Sequence, residues 1–556
     1  MKDTTEDRRL LLAIALSLLV VTGYQLFFVP RPVPRPAAPS PAAAAAPAPA
    51  TVAAPDSEAA PLSSPAAPLE PPRSAREERR VEVGGRDIAL AFTNRGARLL
   101  SWRLLGFKDE RGRPEEMVQA ARDAARPLDL ETGDAGLDER LRQALFEVKE
   151  PAAAGGRLDF EFSDGEFYAR KSLRLGSDGF VVAVEGELRR AGRPVALRLV
   201  WGPGVTNPTP RETEVQGYVA PQAVARTPEG VERLPPDQLS GPRSLPEAAW
   251  AGVESQYFAA LLVPARPTGV ELRSAELAQA EDGKPTRGAL ALVPLAGEVQ
   301  AYVGPKDWDT LHALRLGLED VVPIGDWIGP IVVPLLRLMR YVHSHVGNYG
   351  WSIVTLTLLI NLVMGPLRHM SIANGMKMAK LSPEMRVIQE RYRKIPALDP
   401  RRQDMQKEVN ELYARHGMSM GTQMLVGCLP MLLTLPFLFA FYRVLTLAVE
   451  LRGASFLWIP DLSHRDPLFL TPLLLGVSMF VMQKLTPTTL DPAQQRIMMI
   501  MPLMLVVMFF AAPAGLNLYW LASNLCSIVQ QGLTLRILRS AEERAKQDAK
   551  QERRRA

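Results

Sequence analysis

The stretch IMMIMPLMLVVMFFAAPAGLNLYWLASNLCSIVQQGLTL occupies residues 497–535 and contains no charged side chain in 39 positions. About 20 apolar residues cross the hydrocarbon core of a bilayer as a helix, so this run is long enough for two spans. Pro513-Ala514-Gly515 is a turn sequence inside the run and separates spans at 497–512 and 516–535. The sequence therefore predicts an α-helical membrane protein.

Four further apolar runs bring the predicted number of spans to six. Three of them lie at 350–367, 421–442 and 467–482. The remaining one is residues 10–29, inside a predicted N-terminal anchor at 1–29. A cleaved signal peptide is the alternative for this run. Signal peptides have a shorter apolar core and a small-residue cleavage site, and neither feature fits here.

Lysine and arginine are divided unequally between the loops of the predicted membrane domain, 350–535. The connection 368–416 holds 11 of them, whereas the connection 444–466 holds two. Cytoplasmic loops carry the excess of positive charge. We therefore expect 368–416, the basic tail 536–556 and the amino terminus to be cytoplasmic, and the long segment after the anchor to be exported.

The exported segment divides by composition into a linker and a β-domain. Residues 30–77 are rich in Pro, Ala and Ser and predict an unfolded tether. Apolar and polar residues alternate through 78–320, for example at Ile88, Leu90 and Phe92, which predicts an all-β antiparallel sandwich. The many carboxylates leave a glycosidase-like acid pair open, although a solvated surface is the simpler interpretation.

Composition excludes several classes of function. The 65 Lys and Arg against 60 Asp and Glu give a net charge of +5, which is too small for nucleic-acid binding by bulk charge. Two cysteines, Cys428 and Cys526, exclude a disulfide-stapled fold. The first histidine is His312, so the preceding residues cannot form a His-based triad or a His-ligated zinc site. We expect no enzymatic activity, no cofactor and no metal.

Residues 321–349 are predicted to contain an amphipathic helix before the second span. Such a helix, with one basic face, is expected to lie in the plane of the membrane, and packing on the β-domain is the alternative. Its two faces at helical spacing are Leu335, Leu338, Met339 and Val342 on the apolar side and Arg337, Arg340, Tyr341 and Ser344 on the polar side.

The connection 368–416 is predicted to form a cytoplasmic helical hairpin. Ser382 followed by Pro383 predicts the start of one helix, and Asp399-Pro400 predicts the start of the next. Methionine is abundant here, and its flexible thioether suits variable apolar ligands, although plain helix packing explains part of the pattern. The candidate ligand-contacting methionines are Met376, Met378, Met385 and Met405.

Polar side chains recur inside the spans, above all in the last one, where two adjacent stripes follow helical spacing. Because lipid offers no hydrogen-bond partners, these groups must face protein or water. Interhelical hydrogen bonding is the alternative, but two stripes on one helix exceed the needs of one packing seam. The spans as drawn contain no Asp, Glu, Lys or Arg, unlike those of ion-coupled transporters. The candidate groove residues are Thr357, Asn361, Gln423, Thr434, Tyr519, Trp520, Ser523, Asn524, Ser527 and Gln530.

Four stretches resemble the YidC family of bacterial inner-membrane protein insertases. They are VGNYGWS at 346–352, GCLP at 427–430, FVMQKLTPTT at 480–489 and PAGLNLY at 513–519. The resemblance is strong from about residue 330 to 539. The front half is similar in layout only, with the anchor, linker and large periplasmic β-domain of Gram-negative members. The resemblance implies a multi-pass protein of the inner membrane.

This resemblance also implies a function. Family members insert and fold membrane proteins, alone or with the Sec translocon, through a hydrophilic groove open to the cytoplasm and the lipid. The implied partners are nascent membrane proteins, the Sec translocon, the ribosome and the bilayer, with no small-molecule substrate. Local charge predicts ribosome docking by the tail, with a merely solubilising tail as the alternative. The tail residues concerned are Arg544, Lys546, Lys550, Arg553, Arg554 and Arg555.

One position departs from the family pattern. An arginine usually stands in the groove five residues before the proline of the second span, and here Asn361 takes that position before Pro366. The charge that would attract an acidic client is therefore missing at this point, while hydration of a polar wall is retained. Two other classes of function remain open: a membrane-anchored periplasmic scaffold for envelope assembly, and a small-solute channel or transporter.

Overall fold

The computed structural model describes residues 71–109, 111–119, 125–149, 156–176, 179–208, 213, 218–277, 287–325, 327–392, 395, 399, 401–416, 435–486 and 492–555. The predicted anchor at 1–29, most of the linker, and the groove candidates Gln423 and Thr434 lie outside these ranges. In the described part of the chain, strands extend as far as residue 305 and helices predominate after it.

The first part of the described chain is antiparallel β-structure, as the alternating pattern predicts. Its strands are β1 (Arg80–Gly84), β2 (Ile88–Thr93), β3 (Arg98–Lys108), β4 (Pro114–Glu116), β5 (Leu130–Glu131), β6 (Glu147–Lys149), β7 (Arg157–Ser163), β8 (Phe167–Leu175), β9 (Val181–Arg190), β10 (Arg193–Pro194), β11 (Arg198–Trp201), β12 (Gln222–Thr227), β13 (Gly230–Leu234), β14 (Arg243–Ala248), β15 (Trp250–Glu254), β16 (Phe258–Pro264), β17 (Thr268–Glu276), β18 (Arg287–Pro294) and β19 (Val299–Pro305).

Three sheets make up the β-sandwich. The largest has the order β13-β12-β15-β16-β19-β9-β8-β7-β6, with β10 paired to β9. The second has the order β14-β17-β18-β11-β5, and the third the order β1-β2-β3-β4. The apolar positions of their strands share one core, in which the rings of Trp102 and Trp201 meet edge to face at 5.8 Å. Burial of these alternate positions holds the sheets together.

Lys171 is a buried charge in this core that the alternating pattern does not reveal. Its ammonium donates hydrogen bonds of 2.6 Å to the backbone oxygens of Ala97 and Leu128. Burial lowers the pKa of Lys171 to about 8. The two carbonyls lie between sheets where water is excluded. They need a protein donor, and the ammonium of Lys171 supplies it.

The described helices follow the strands or connect them. They are α1 (Ala135–Gln143), α2 (Trp308–Ala313), α3 (Gly329–Val346), α4 (Tyr349–Arg391), α5 (Arg401–Arg415), α6 (Leu435–Leu447), α7 (Leu470–Leu485), α8 (Pro492–Phe509) and α9 (Ala514–Arg555). Among the described residues, Tyr349–Ile388 is the one helix long and apolar enough to cross a bilayer, and Leu435–Leu447, Leu470–Leu485 and Met498–Phe509 are shorter apolar helices. The count of six spans stays a prediction.

Helix α3 is the amphipathic helix that the sequence predicts, but its apolar face packs on protein. Leu335, Met339 and Val342 are buried, the first two in one cluster with residues of the sandwich and of the later helices. On its polar face, Arg340 pairs with Asp307 at 2.6 Å. The same guanidinium pairs with Glu450 at 2.8 Å. The apolar face of α3 thus contacts both the β-domain and the later helices, and the position of this helix in the membrane plane stays a prediction.

Helix α4 is continuous from Tyr349 to Arg391. The helix start predicted at Ser382 and Pro383 is therefore wrong, since both residues lie inside α4. A proline inside a helix removes one backbone hydrogen bond, a local cost that tertiary packing can offset. Here the flanking residues Leu381 and Met385 pack against α5.

From residue 376 onward, the described end of α4 and helix α5 belong to a compact unit that is separate from the rest of the described chain. Within its described part, the end of α4 and helix α5 form the predicted hairpin, and Leu381, Val409 and Tyr413 are buried between them. Tyr392 donates a hydrogen bond of 2.8 Å to Glu408. The start predicted for the second helix is confirmed, because Asp399 accepts from the Arg401 backbone amide at 2.9 Å.

The connection between α6 and α7 contacts the sandwich directly. Arg452 and Glu115 form an ion pair of 2.7 Å, and their side chains are 10% and 4% exposed. The side chain of Gln256 donates to the backbone oxygen of Thr446 at 3.1 Å. The β-sandwich is thus held against the helical part by specific polar contacts.

Candidate functional site

A polar seam runs between α4 and α9. Asn361, which is 4% exposed, donates to the backbone oxygen of Thr357 at 2.8 Å and to the hydroxyl of Ser523 at 3.4 Å. Gln530 donates to the backbone oxygen of Asn361 at 2.8 Å. Four groove candidates predicted from two distant parts of the sequence therefore meet in one place.

Arg368 is the charged residue of this seam. Its guanidinium donates to the amide oxygens of Asn361 and Gln530, each at 3.1 Å, and to the hydroxyl of Ser527. The apolar run of the sequence ends one residue before Arg368, so the predicted cytoplasmic loop begins with this residue. Since α4 continues past it, the side chain turns back along the helix into the seam.

The partners of Arg368 in the described residues are all neutral. Asn361, Ser527 and Gln530 supply oxygen acceptors, and none of them carries a charge. A cation between two helices is costly unless it is solvated or paired with an anion. Among the described residues this positive charge is thus uncompensated, and the guanidinium can donate further hydrogen bonds to water or to a negative group.

The second polar stripe of α9 faces another neighbour. Asn524 donates to the hydroxyl of Ser478 at 3.1 Å, and Gln531 donates to the hydroxyl of Thr486 at 3.3 Å. Both acceptors belong to the α7 side. The second stripe therefore makes interhelical hydrogen bonds, the alternative that the sequence pattern allows. Asn524 does not join the cluster around Asn361.

The aromatic candidates cover the end of the seam. Tyr519 is buried and stacks on Phe441 of α6 with ring centroids 4.1 Å apart. Trp520 packs against Phe509 of α8 at 4.6 Å. These two rings pack α9 against its neighbours, and Tyr519 lies one turn before Ser523 on the face that contains the seam.

An apolar concavity adjoins the seam on the same two helices. It encloses about 350 Å³. A polar seam beside an apolar hollow can receive a segment that has one polar and one apolar side. The hollow is lined by Val354, Leu358, Leu518, Leu521, Ala522 and Leu525, together with Cys526 and Val529.

The hairpin and tail candidates have different surroundings. Met385 packs in the hairpin cluster, and its sulfur accepts a hydrogen bond of 3.4 Å from the Tyr413 hydroxyl. Met376, Met378 and Met405 are half-buried. Lys546 pairs with Glu542 at 3.3 Å, and the tail is helical as far as Arg555. The other tail cations, Arg544, Lys550, Arg553, Arg554 and Arg555, lie on the exposed end of α9.

Together, fold and seam define a class: a helical membrane protein that carries a polar interhelical seam and a large β-sandwich. Two family models match the chain, one described as the 60Kd inner membrane protein over residues 341–541 and one as the YidC periplasmic domain over 80–338. The membrane protein insertase YidC of Syntrophus aciditrophicus is 30% identical, and the match covers 94% of this chain and 98% of that protein.

One further relative and two solved structures are similar to the chain. The membrane protein insertase YidC of Citrifermentans bemidjiense is 31% identical over 94% of this chain and 98% of its own. Among solved structures, an active YidC insertase with its first transmembrane domain resolved is similar over 83% of this chain and 94% of its own, at 17% identity and a TM-score of 0.35. A galactose mutarotase-like protein from Lactobacillus casei is similar over 41% of this chain and all of its own, at 12% identity and a TM-score of 0.28.

The chain belongs to the YidC family of membrane protein insertases. The two relatives each cover 94% of its length, and the two family models divide it into a periplasmic domain and a membrane part, as the sequence predicts. Family membership was thus predictable from the motifs. Arg368 was not predicted, although Thr357, Asn361 and Arg368 fit one helical stripe at i, i+4 and i+11.

Proposed function

We propose that this protein inserts client segments into the inner membrane through the seam between α4 and α9. The supporting observation is Arg368, whose half-buried guanidinium has only neutral partners in the described part of the chain. A charge at the middle of a bilayer costs about 2.5–3.5 kcal/mol even on insertion scales. A polar wall with a cation lowers that cost for an acidic or hydrated client segment.

In this mechanism the groove offers hydrogen bonds in place of water. Asn361, Ser523, Ser527 and Gln530 hold Arg368 and one another, so the wall is preformed before a client arrives. The adjoining apolar hollow receives the apolar flank of the same client. Insertion then needs no nucleotide, since the client's own apolar span leaves the groove for lipid.

The proposed layout has six spans with both chain ends in the cytoplasm. Loop charge supports it, and so does the contact of Arg452 with Glu115, because a loop that touches the periplasmic domain lies on the periplasmic side. The hairpin 376–416 is then cytoplasmic, where its half-buried methionines are available to apolar client segments. We propose the Sec translocon and the ribosome as partners in this process.

The experiment is insertion of a radiolabelled client into vesicles that contain the purified protein, read out by protease protection. Two clients differ only in their translocated tail, which is acidic in one and neutral in the other. We expect Arg368→Gln to slow insertion of the acidic client about tenfold, since a hydrogen bond to a charged group is worth about 1.5–3 kcal/mol. The neutral client should be affected less.

Arg536→Gln is the matched control, because Arg536 is an exposed arginine further along α9. It should leave both clients at the wild-type rate. Equal rates for wild type and Arg368→Gln with both clients would contradict the groove. They would favour a scaffold, which needs no polar seam.

The tail is proposed to dock the ribosome by charge. Helix α9 has 42 residues and is therefore about 63 Å long, about twice the thickness of the hydrocarbon core, so its end projects from the membrane. Replacing the six tail cations by Gln should abolish salt-sensitive ribosome co-sedimentation. Lys546→Arg with Lys550→Arg keeps the charge and should bind normally. Normal binding by the Gln variant would leave the tail only a solubilising role.

A further inference from the structure

The polar seam continues past Arg368 to the next residue of α4, His369. Nδ1 of His369 lies 3.2 Å from the hydroxyl oxygen of Thr534 on α9. Ser527, Gln530 and Thr534 stand at i, i+3 and i+7 of α9. They therefore form one stripe, and its first two members bind Arg368. Thr534 is buried and His369 is half-buried, and the groove mechanism leaves this pair unused.

The hydroxyl of Thr534 suits both charge states of the histidine ring. It donates to Nδ1 in the neutral tautomer whose proton is on Nε2, and it accepts from Nδ1 in the protonated ring. Among the described residues, Thr534 is the one hydrogen-bond partner of this ring, and no carboxylate pairs with it. The contact therefore orients the ring without selecting its neutral form. In both states the Nε2–H is a donor for a further group.

The helix stretches that flank His369 carry no carboxylate. They are residues 357–375 of α4, residues 523–541 of α9, and α7, which bonds to the other polar stripe of α9. Their ionisable side chains besides His369 are Arg368, Lys484, Cys526, Arg536 and Arg539. A protonated His369 thus has no anionic partner on these helices, and a cation in such surroundings needs an anion or water.

A carboxylate of a client segment supplies this anion. The protonated ring attracts a carboxylate by its charge as well as by the Nε2–H hydrogen bond, whereas the neutral ring offers the hydrogen bond alone. Histidine is the side chain that ordinarily changes its charge between about pH 5 and 8. The preference of the groove for an acidic segment should therefore rise as the pH falls through this range.

We propose that His369 and Thr534 form a second carboxylate subsite of the groove, which binds an acidic client segment when His369 is protonated. The subsite rests on the proposed insertase function and adds to it a client preference that depends on pH. Thr534 is a positioning residue, since it acts by orienting the ring. In the proposed layout the subsite lies at the cytoplasmic end of the seam, where a client segment enters.

The test is the insertion assay with the acidic and the neutral client, run at about pH 6 and about pH 7.5. Both samples are brought to one pH before the protease is added. Arginine and the client carboxylates stay charged throughout this range, whereas histidine does not. We expect wild type to insert the acidic client about threefold faster at the lower pH, if the protonated form is about five times as active as the neutral one. The neutral client should insert at the same rate at both pH values.

Variants of the pair separate its charge from its packing. His369→Gln should insert the acidic client slowly at both pH values, and His369→Lys should insert it rapidly at both, because lysine stays charged. Thr534→Ser keeps the hydroxyl and should keep the pH response, whereas Thr534→Val should weaken it. His345→Gln is the matched control, since His345 is an exposed histidine of α3 outside the seam, and it should respond to pH as wild type does.

Two results would overturn the subsite: a wild-type rate for the acidic client that does not change with pH, or a full pH response in His369→Gln. If His369→Gln fails to fold, His369→Lys decides, since a full pH response in that variant equally excludes His369 as its source. The groove is tested separately by Arg368→Gln at one pH. A slow acidic client in Arg368→Gln without any pH response in wild type would leave the groove intact and remove only the subsite.

Discussion

Arg368 and Asn361 are seven residues apart on α4, which is two helical turns or about 10 Å along the axis. Both contribute to the same seam, where the guanidinium donates to the amide oxygen at 3.1 Å. The family's usual groove arginine stands at the position of Asn361. In this chain the cation of the seam is Arg368, which lies two helical turns further along α4.

This arrangement predicts that the two side chains can be exchanged. Arg368→Asn should lose most insertion of a client with an acidic tail, because the charge is removed from the seam. Asn361→Arg combined with Arg368→Asn should recover it, since one cation again lies among Ser523, Ser527 and Gln530. The measurement is protease protection of the radiolabelled client in vesicles. A double variant as inactive as Arg368→Asn would mean that the exact position of the charge matters.

Asn361→Leu tests the amide separately. The substitution removes an acceptor from Arg368 and an interhelical bond to Ser523. We expect it to impair insertion, chiefly of clients with charged tails, while Asn361→Arg alone is tolerated if hydration is the working principle. Wild-type rates for Asn361→Leu with every client would mean that Asn361 contributes only to helix packing and not to insertion. Rates above wild type for Asn361→Arg would instead show that charge attraction limits the reaction.

At the scale of elements, α9 divides its polar residues between two neighbours. Asn524 and Gln531 bond to Ser478 and Thr486, so we expect this stripe to contribute to stability and not to client recognition. Asn524→Ala should lower the melting temperature slightly, because interhelical hydrogen bonds in membranes average about 0.6 kcal/mol. The ratio of acidic to neutral client insertion should stay at the wild-type value. A changed ratio would mean that Asn524 takes part in client recognition.

How well each element could be predicted depends on which interactions determine it. Strands such as Ile88–Thr93 were predictable because a half-buried strand repeats every two residues. The end of α4 was not, since Ser382-Pro383 is a strong local start signal that packing of Leu381 overrides. Three of the four residues predicted on the apolar face of α3 are buried, and Leu338 is exposed. The sequence leaves the partner of that face open, because an apolar stripe looks alike against lipid and against protein.

At the scale of the whole molecule, loop charge and the contact of Arg452 with Glu115 lead to one arrangement of the chain across the membrane. Ala414→Cys and Ser455→Cys, each in a chain whose two native cysteines are replaced by serine, test it, because both positions are exposed. A membrane-impermeant maleimide added to intact spheroplasts should label position 455 and spare position 414 until the membrane is opened. Labelling of both from outside would contradict the arrangement.

The ion pair of Arg452 and Glu115 joins the periplasmic domain to the helical part, and the sequence could not reveal it because its members are 337 residues apart. Both side chains are nearly buried, and removing one member takes this ion-pair partner from the other, a change that costs up to about 3–5 kcal/mol in buried pairs. Arg452 also lies 5.6 Å from the ring of Phe258 and donates to the Lys108 backbone oxygen at 3.4 Å, so part of its environment survives.

We therefore expect Glu115→Gln to loosen the periplasmic domain from the helices without unfolding either of them. Hydrogen exchange at β4 and at residues 449–451 should accelerate, while exchange in the core strands of the sandwich stays slow. Glu115→Gln combined with Arg452→Gln should recover part of the protection, since neither of the two charges then remains buried. Insertion of a neutral client should continue in both variants, because the seam between α4 and α9 is intact. Its loss in Glu115→Gln alone would mean that docking of the sandwich is itself part of the insertion cycle.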